Sequence, residues 1–310
     1  MRFGLTAALP RSAAQSREFA LRVETAGIDV MTFADHLAPT VSPFVGAAAT
    51  AVVTSRLRVG TLVVNNDLRH PVDTARESAS LATVSDGRFE LGIGAGHMKS
   101  EYDAAGIAFD DGATRVSRLI ESVTVIRALL AGEPVDFSGK HHRVCAGAGE
   151  IVAPPAHHVP ILVGGNGTRV LQLAGHIADI AGFAGITHNR DATRVRLSHF
   201  DGAGLADRIA VVRTAAGERF DQIELNALIQ AVVVTDDRES AAVRLSEALG
   251  ADPALLLDSP FVLIGTHEQM ADQLVARQRE FGVSYWTVFD EWAGRASALP
   301  DVAEVISLLR

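Results

Sequence analysis

The sequence predicts a (β/α)8 barrel, a closed ring of eight parallel strands surrounded by helices, with insertions at the C-terminal mouth. Apolar, β-branched runs alternate with helical patterns almost from the first residue, and eight such runs occur. No change in composition marks a second domain, and one barrel of this type accommodates the 310 residues of the chain. We therefore predict a single domain over residues 1–310.

Each predicted strand is a short apolar run, and turn or helix-terminating residues separate it from the next helix. Gly27 ends the first helix, and Pro71 opens the third. The predicted strands are Arg2–Ala8, Asp29–Ala34, Leu57–Val64, Phe89–Gly94, Pro160–Val163, Asp179–Phe183, Leu228–Val234 and Ser284–Phe289. The predicted helices are Ser12–Ala26, Phe44–Thr54, Val72–Val84, Thr114–Leu130, Thr168–Gly175, Leu205–Gly217, Arg238–Leu249 and Thr266–Phe281.

Three segments interrupt this alternation. Pro134–Pro155 is rich in turn residues and short β-like pieces, which predicts a hairpin between the fourth and fifth strands. His188–Gly204 and Ala251–Gly265 are further candidate insertions near the mouth.

Composition excludes several classes of protein. Hydrophobic residues make up 48% of the chain, which is ample for a large core, and the net charge of −9 argues against a nucleic-acid partner. No apolar run approaches the length of a membrane span. Cys145 is the only cysteine, so we expect a reducing, cytoplasmic location. The basic, briefly apolar start suggests an export signal, but FGLTAAL is better interpreted as a strand.

Polar or glycine-rich groups follow four consecutive predicted strands. They are Asp35-His36, Asn65-Asn66-Asp67 followed by Arg69-His70-Pro71, Gly94–His97 and Gly164–Thr168. Loops are commonly polar and rich in glycine, which explains one or two such groups but less easily four in a row. Because ligands of these barrels bind where the strands end, we expect the four groups to form a site.

The run GIGAG at Gly92–Gly96 superficially suggests a dinucleotide-binding fingerprint. That fingerprint requires a third glycine where His97 stands, and it belongs on a first strand rather than a fourth. We interpret these glycines instead as sites where the backbone closely approaches a planar ring.

The segment Gly164–Thr168 lies between a predicted strand and a predicted helix. Its bare N–H groups, the positive helix end and the Thr168 hydroxyl would suit a phosphate. The alternative is an ordinary left-handed turn.

His36 is the principal candidate for proton transfer. An imidazole next to a carboxylate at a strand end can give or take a proton near neutral pH, although a structural histidine would also fit. The chain has no His-x-His pair and no cysteine cluster, so we expect no metal site.

Several motifs together resemble the luciferase-like monooxygenase superfamily. They are Ala34-Asp35-His36, Arg58–Thr61, His70-Pro71, the run SDGRFELGIGAG at 85–96, and Ile161–Gly167 followed by Ala174-Gly175 and Ala178-Asp179. The likeness covers nearly the whole chain and is greatest to the branch that uses the deazaflavin coenzyme F420.

The resemblance implies roles for particular residues. His36 would face the reactive carbon of the ring, with Asp35 beside it. A non-proline cis peptide at Leu62-Val63 would form a bulge against the back of the ring. The segment from Gly164 to Thr168 would contact the phosphate-bearing tail. The implied cofactor-binding residues are Asp35, His36, Leu62, Val63, Asn65, Gly94, Gly96, His97, Gly164, Gly165, Asn166, Gly167 and Thr168.

One position departs from the family. Relatives commonly have tryptophan or a catalytic glutamate where this chain has His97. The acid role of that glutamate therefore does not carry over, and His97 joins His36 and Asp35 only as a weaker catalytic candidate. The small-molecule substrate stays open.

The resemblance leaves three functions open. The first is an F420-dependent oxidoreductase that transfers hydride to or from a small organic substrate. The second is a monooxygenase that uses reduced FMN from a separate reductase, and the third is a non-catalytic flavin-binding barrel. Relatives usually dimerise through helices near strands two to four, so the small-residue helix Phe44–Thr54 is a candidate homodimer contact.

Overall fold

In a computed structural model, which describes residues 1–8, 11–189, 195–290 and 296–310, eight parallel strands close into a barrel. Each strand pairs with its neighbours in sequence, and the first pairs with the last, so the predicted fold class is confirmed. The barrel strands are β1 (Arg2–Ala7), β2 (Val30–Phe33), β3 (Arg58–Thr61 and Val64–Asn65), β4 (Phe89–Gly94), β5 (Ile161–Gly164), β6 (Ile180–Phe183), β7 (Glu224–Ile229) and β8 (Tyr285–Phe289).

Strand β3 is interrupted in its middle. Its first piece pairs with β2 and β4, and its second piece pairs with β4 alone. The two pieces are joined through the peptide bond between Leu62 and Val63, which is cis. The cis bond expected at this position is confirmed.

Helices cover the outside of the barrel. Ser12 caps the first helix through a reciprocal pair of hydrogen bonds with Gln15, and Pro71 opens the third. The helices are α1 (Ala13–Thr25), α2 (Pro43–Ala51), α3 (Pro71–Val84), α4 (Lys99–Ala105), α5 (Gly112–Leu130), α6 (Thr168–Ile177), α7 (Gly202–Ala216), α8 (Arg238–Leu249), α9 (Pro253–Asp258), α10 (His267–Phe281) and α11 (Leu299–Leu309). The sequence analysis did not predict α4, α9 or α11.

Charged side chains fill the base of the barrel. Arg2 donates to Glu224 Oε2 at 2.6 Å and also to Glu90, which accepts a second guanidinium from Arg58. The guanidinium of Arg2 lies 4.6 Å from the centre of the Tyr285 ring. These residues lie at or near the N-terminal ends of their strands, so the opposite end is the one available to a ligand.

The prediction for the seventh strand was wrong in its position. The barrel strand is Glu224–Ile229, whereas Ala231–Val234 pairs with Val262–Gly265 outside the barrel. Asn226 faces the barrel interior, where its Nδ2 donates to Thr287 Oγ1 at 2.9 Å. Polar residues at interior positions of β7 weaken its apolar pattern. The more apolar run that follows β7 was therefore predicted as the barrel strand.

All three predicted insertions contain β structure, and that of Ala251–Gly265 is the strand Val262–Gly265 named above. Val135–Ser138 and Arg143–Ala146 form the expected hairpin, and its turn is held by Glu121, which accepts from three backbone N–H groups. Ile186–His188 pairs with Val195–Leu197, and residues 190–194 of that insertion lie outside the described residues. None of the helices in the described ranges is long and apolar enough to cross a membrane.

Candidate active site

An apolar floor lies at the C-terminal end of the barrel. Leu62 and Val63, both partly exposed, pack against a small cluster inside the barrel that includes Leu162. A Cβ added at Gly94 would lie 2.8 Å from Val63 Cγ2, and one added at Gly164 would lie 3.0 Å from Val63 Cγ1. The Val63 side chain therefore occupies the space that these two glycines leave, and this gives the mouth of the barrel an apolar base.

The glycines of the fourth strand have a structural reason that involves no ligand. A Cβ at Gly92 would lie 2.0 Å from the carbonyl oxygen of Thr61, so only glycine lets β3 and β4 approach this closely. Gly96 has φ +74°, and a Cβ there would meet the Tyr102 hydroxyl at 2.1 Å. The close approach inferred from the sequence is thus to neighbouring protein groups, and cofactor contact at Gly94 and Gly96 stays a prediction.

His36 follows β2 by three residues and is held by a carboxylate from α4. Its Nδ1 lies 2.8 Å from Glu101 Oε1, and Glu101 Oε2 accepts the backbone N–H of Leu37 at 3.2 Å. The His36 side chain is 19% exposed and that of Glu101 11% exposed. The imidazole is therefore anchored through one ring nitrogen while part of the ring stays accessible.

Asp35 contacts Asn65 and Arg69, and its predicted contact with a cofactor stays a prediction. Its Oδ2 accepts the backbone N–H of Asn65 at 3.0 Å, and both carboxylate oxygens accept from the guanidinium of Arg69. Asp35 is buried. The carboxylate thus joins the ends of β2 and β3, and the group beside the His36 ring is Glu101.

Asn65 and Tyr102 tie α4 to the end of β3. The Tyr102 hydroxyl lies 2.9 Å from Asn65 Oδ1 and 3.1 Å from Asp67 Oδ2, and Arg118 donates to Asp67 at 2.7 Å. Burial, with the nearby Asp67 carboxylate, raises the pKa of Tyr102 well above its usual value, so the hydroxyl stays protonated. Asn65, expected at a cofactor, is thus engaged mainly in positioning α4.

His97 lies next to His36. The two imidazole rings are edge to face, with centroids 5.6 Å apart, and His97 is exposed. The sequence analysis grouped His97 with His36 as a catalytic candidate. The structure places the two rings close together, and a catalytic role for His97 stays a prediction.

The segment from Gly164 to Thr168 joins β5 to α6 at the same end of the barrel. Gly167 precedes the helix, and a Cβ there would meet no atom within 4 Å. Asn166 Nδ2 donates to the Ser198 carbonyl at 2.8 Å, while the buried Oδ1 of the same side chain has no hydrogen-bond partner among the described residues. The backbone N–H of Val170 donates to the Gly167 carbonyl at 3.1 Å, but a helix supplies no partner for its first N–H groups, here those of Thr168 and Arg169, so the segment suits an anion.

Arg208 of α7 approaches this helix end. Its Nη1 donates to Thr168 Oγ1 at 3.3 Å, and its buried Nε has no hydrogen-bond partner in the part of the chain that the structure describes. The positive end of α6, a hydroxyl and a guanidinium therefore lie together. Within the described ranges, no group of three or more His, Cys, Asp or Glu side chains could hold a metal ion.

Sequence reasoning missed three residues of this site and the partner of a fourth. Arg208 carried no local signal, because its partner lies 40 positions away. Arg69 was named among the polar residues after the third strand, but its pairing with Asp35, 34 positions away, was not predicted. Glu101 and Tyr102 follow His97 within five residues, but the short helix that presents them was not predicted. The available signal was an acidic residue followed by an aromatic residue, four and five positions after His97.

Comparisons with known proteins agree with this architecture. A sequence profile of the luciferase-like monooxygenase family matches residues 1–285. An F420-dependent glucose-6-phosphate dehydrogenase from Nakamurella multipartita is 32% identical over 307 residues, covering 94% of this chain and 84% of the relative. Another protein of that name, from Beutenbergia cavernae, is 34% identical over 171 residues, covering 52% of this chain and 49% of the relative.

Solved structures share the fold. An F420-dependent secondary alcohol dehydrogenase in complex with an F420-acetone adduct superposes with a TM-score of 0.77 at 20% identity, covering 100% of this chain and 99% of that one. At 20% identity the structural likeness shows the shared fold alone, whereas the profile match shows the family. The chain belongs to the luciferase-like monooxygenase family.

Proposed function

We propose that this protein is an F420-dependent oxidoreductase that transfers hydride between the deazaflavin and a small organic substrate. The observation that carries the proposal is the 2.8 Å contact between His36 Nδ1 and Glu101 Oε1, at the same end of the barrel as the apolar floor of Leu62 and Val63. A partly exposed imidazole at the barrel end that carries apolar surface suits a site where a proton moves near a planar ring. The names of the curated relatives support the choice of cofactor.

The residues present fit a planar group that carries a phosphate. The partly exposed side chains of Leu62 and Val63 offer an apolar surface for a ring. The N-terminus of α6 offers open space at Gly167, the Thr168 hydroxyl and an unpartnered Nε on Arg208. We propose that these groups hold the ring and the anionic tail, respectively.

The bound deazaflavin would supply a ring carbon that accepts or releases a hydride. Glu101 occupies Nδ1 of His36, so Nε2 is the nitrogen that would take the proton of a substrate hydroxyl as it becomes a carbonyl. In the reverse direction the same nitrogen would return the proton. Asp35 would act by fixing the loop that carries His36, and His97 is a second candidate for contact with the substrate.

Binding of the two cofactors tests the proposal directly. Purified protein would be titrated with F420 and, separately, with FMN, and quenching of cofactor fluorescence would be recorded. We expect saturable F420 binding that is tighter than FMN binding. Tight FMN binding without F420 binding would contradict the proposal and favour the FMN-dependent monooxygenase, which oxygen consumption with reduced FMN would then reveal.

Turnover separates an enzyme from a non-catalytic barrel. Reduction of F420 would be followed with a panel of candidate substrates that includes glucose-6-phosphate and simple secondary alcohols. A panel is needed because His97 stands where relatives have tryptophan or a catalytic glutamate, so the sequence does not predict the substrate. We expect His36→Gln to lower kcat by about 10²–10⁴-fold while F420 still binds, since general acid–base catalysis contributes about this much. Equal turnover by the variant and the wild type would remove His36 from the mechanism.

We also propose a homodimer. Val45 of α2 and Val52, which directly follows the helix, are 63% and 66% exposed, and their spacing of seven positions places them on one side of it. Exposed apolar side chains on one helix face favour burial against a second copy. Light scattering would give the mass in solution, and Val45→Asp with Val52→Asp should yield monomers if this face is the contact.

We also propose that the protein works in a reducing compartment and that another enzyme supplies its reduced cofactor. The single cysteine, Cys145, is exposed and unpaired by any disulfide, which suits the cytoplasm. A separate F420 or flavin reductase would regenerate the cofactor if the physiological reaction consumes its reduced form. Fractionation of the native cells would test the location.

A further inference from the structure

We propose that Glu101 is a positioning residue for His36: its carboxylate fixes the imidazole with the proton on Nδ1, so that Nε2 serves the substrate. The inference rests on the proposed function and deepens it, because it names a residue that sets how His36 works. Glu101 is 65 residues from His36 in sequence and belongs to none of the motifs that carry the family resemblance.

The two carboxylate oxygens of Glu101 contact two consecutive residues. Oε1 contacts His36 Nδ1 at 2.8 Å, and Oε2 accepts the N–H of Leu37 at 3.2 Å. Two contacts fix the plane of the carboxylate as well as its position. An ionised carboxylate has no proton to give, so Nδ1 must be the donor, and this selects one tautomer of a neutral imidazole.

The helix that carries Glu101 is itself anchored at the next residue. Tyr102 is fully buried, and its hydroxyl lies 2.9 Å from Asn65 Oδ1 and 3.1 Å from Asp67 Oδ2. The absence of a side chain at Gly96 allows this contact, since a Cβ there would lie 2.1 Å from the hydroxyl. Glu101 is therefore held between the end of β2 and the end of β3 by two independent sets of contacts.

The chemistry explains why a carboxylate is needed. When Nε2 takes a proton, the ring becomes an imidazolium, and the adjacent negative charge of Glu101 stabilises it. An uncharged amide would give no such stabilisation. Because an amide can either donate to Nδ1 or accept from it, it would not select a tautomer either.

The test uses Glu101→Gln, with Asp103→Asn as the matched control. Asp103 lies on the same helix, is exposed, and pairs only with Lys99 in the described contacts. We expect Glu101→Gln to lower kcat by about 10–100-fold, the effect typical of residues that orient a catalytic imidazole, with KM changed by less than about threefold. The pH profile of kcat should also shift, whereas Asp103→Asn should match the wild type in both respects.

A second measurement needs neither cofactor nor substrate. Nitrogen NMR of histidine-labelled protein reports the tautomer of each ring, and the His36 signals would be identified by their loss in His36→Asn. We expect the Nδ1–H form in the wild type and a mixture in Glu101→Gln. Should Glu101→Gln fail to fold, Tyr102→Phe, which loosens the same helix, should produce the same mixture.

The outcomes separate this inference from the proposed function. An unchanged His36 tautomer together with unchanged kcat in Glu101→Gln would overturn the positioning role. The expected NMR change in a protein that neither binds nor reduces F420 would instead retain the Glu101–His36 assignment and overturn the proposed cofactor chemistry.

Discussion

Asp35 and Arg69 form a two-point ion pair that joins the ends of β2 and β3. Arg69 Nη2 donates to Asp35 Oδ1 at 3.2 Å, Nη1 donates to Oδ2, and the backbone N–H of Asn65 donates to Oδ2 as well. Their side chains are only 5% and 18% exposed. The residue before His36 therefore joins the two strand ends that carry the site, and its contact with a ligand stays a prediction.

We expect Asp35→Asn to destabilise the protein, because it removes the nearer carboxylate partner of the largely buried Arg69 and leaves, among the described residues, only Glu77, 3.8 Å from Nε. Loss of one member of a buried pair costs about 3–5 kcal/mol, and the partial exposure of Arg69 places the expected loss near the low end. Urea unfolding measures it. Asp73→Asn is the control, since the Asp73–Arg76 pair is exposed and should cost less than about 1 kcal/mol. Equal losses in the two variants would contradict this account.

We expect Gly92→Ala to be strongly destabilising. A Cβ at position 92 would lie 2.0 Å from the Thr61 carbonyl oxygen, a backbone atom that can move only with β3. Such overpacking costs about 1–3 kcal/mol or more, measured by thermal or urea unfolding. Gly112→Ala is the matched control, because nothing lies within 4 Å of a Cβ there and no loss is expected. A neutral Gly92→Ala would show that β3 and β4 tolerate separation.

Both tyrosines of the chain should resist ionisation. Burial raises the pKa of Tyr102 and of Tyr285 above the usual value of about 10. A folded pKa above the unfolded value contributes stability that is complete below about pH 10 and is lost as the pH rises toward the folded value. Alkaline titration should therefore show tyrosinate absorbance appearing together with unfolding, followed by circular dichroism. Tyrosinate absorbance in folded protein near pH 10 would contradict the prediction.

Arg208 should contribute to cofactor affinity through its contact with the N-terminus of α6. A charged hydrogen bond to a phosphate contributes about 1.5–3 kcal/mol, so Arg208→Gln should raise the Kd for F420 by about 10–100-fold. Fluorescence titration gives the Kd. Arg213→Gln on the same helix is the control, because Arg213 packs over the Phe220 ring rather than at Thr168. An unchanged Kd in Arg208→Gln would place the anionic tail elsewhere.

The sequence predicted most of the barrel because its local signals are strong. All of the other seven strands lie within about two residues of their predicted ends, and the third also carries the expected cis bond at Leu62-Val63. The seventh failed because Asn226 and Glu224 are polar residues inside the barrel, where their partners Thr287 and Arg2 come from other strands. An apolar pattern cannot indicate a polar interior position whose partner is distant in sequence.

By itself the sequence determined the number and order of strands, the turns, and the segments that end at the mouth, because apolar periodicity and glycine placement act locally. Only the tertiary structure decided which polar groups meet there. His36 is joined to Glu101 rather than to its neighbour Asp35, and Asp35 is joined to Arg69, because barrel closure and strand register bring together residues that are 65 and 34 positions apart.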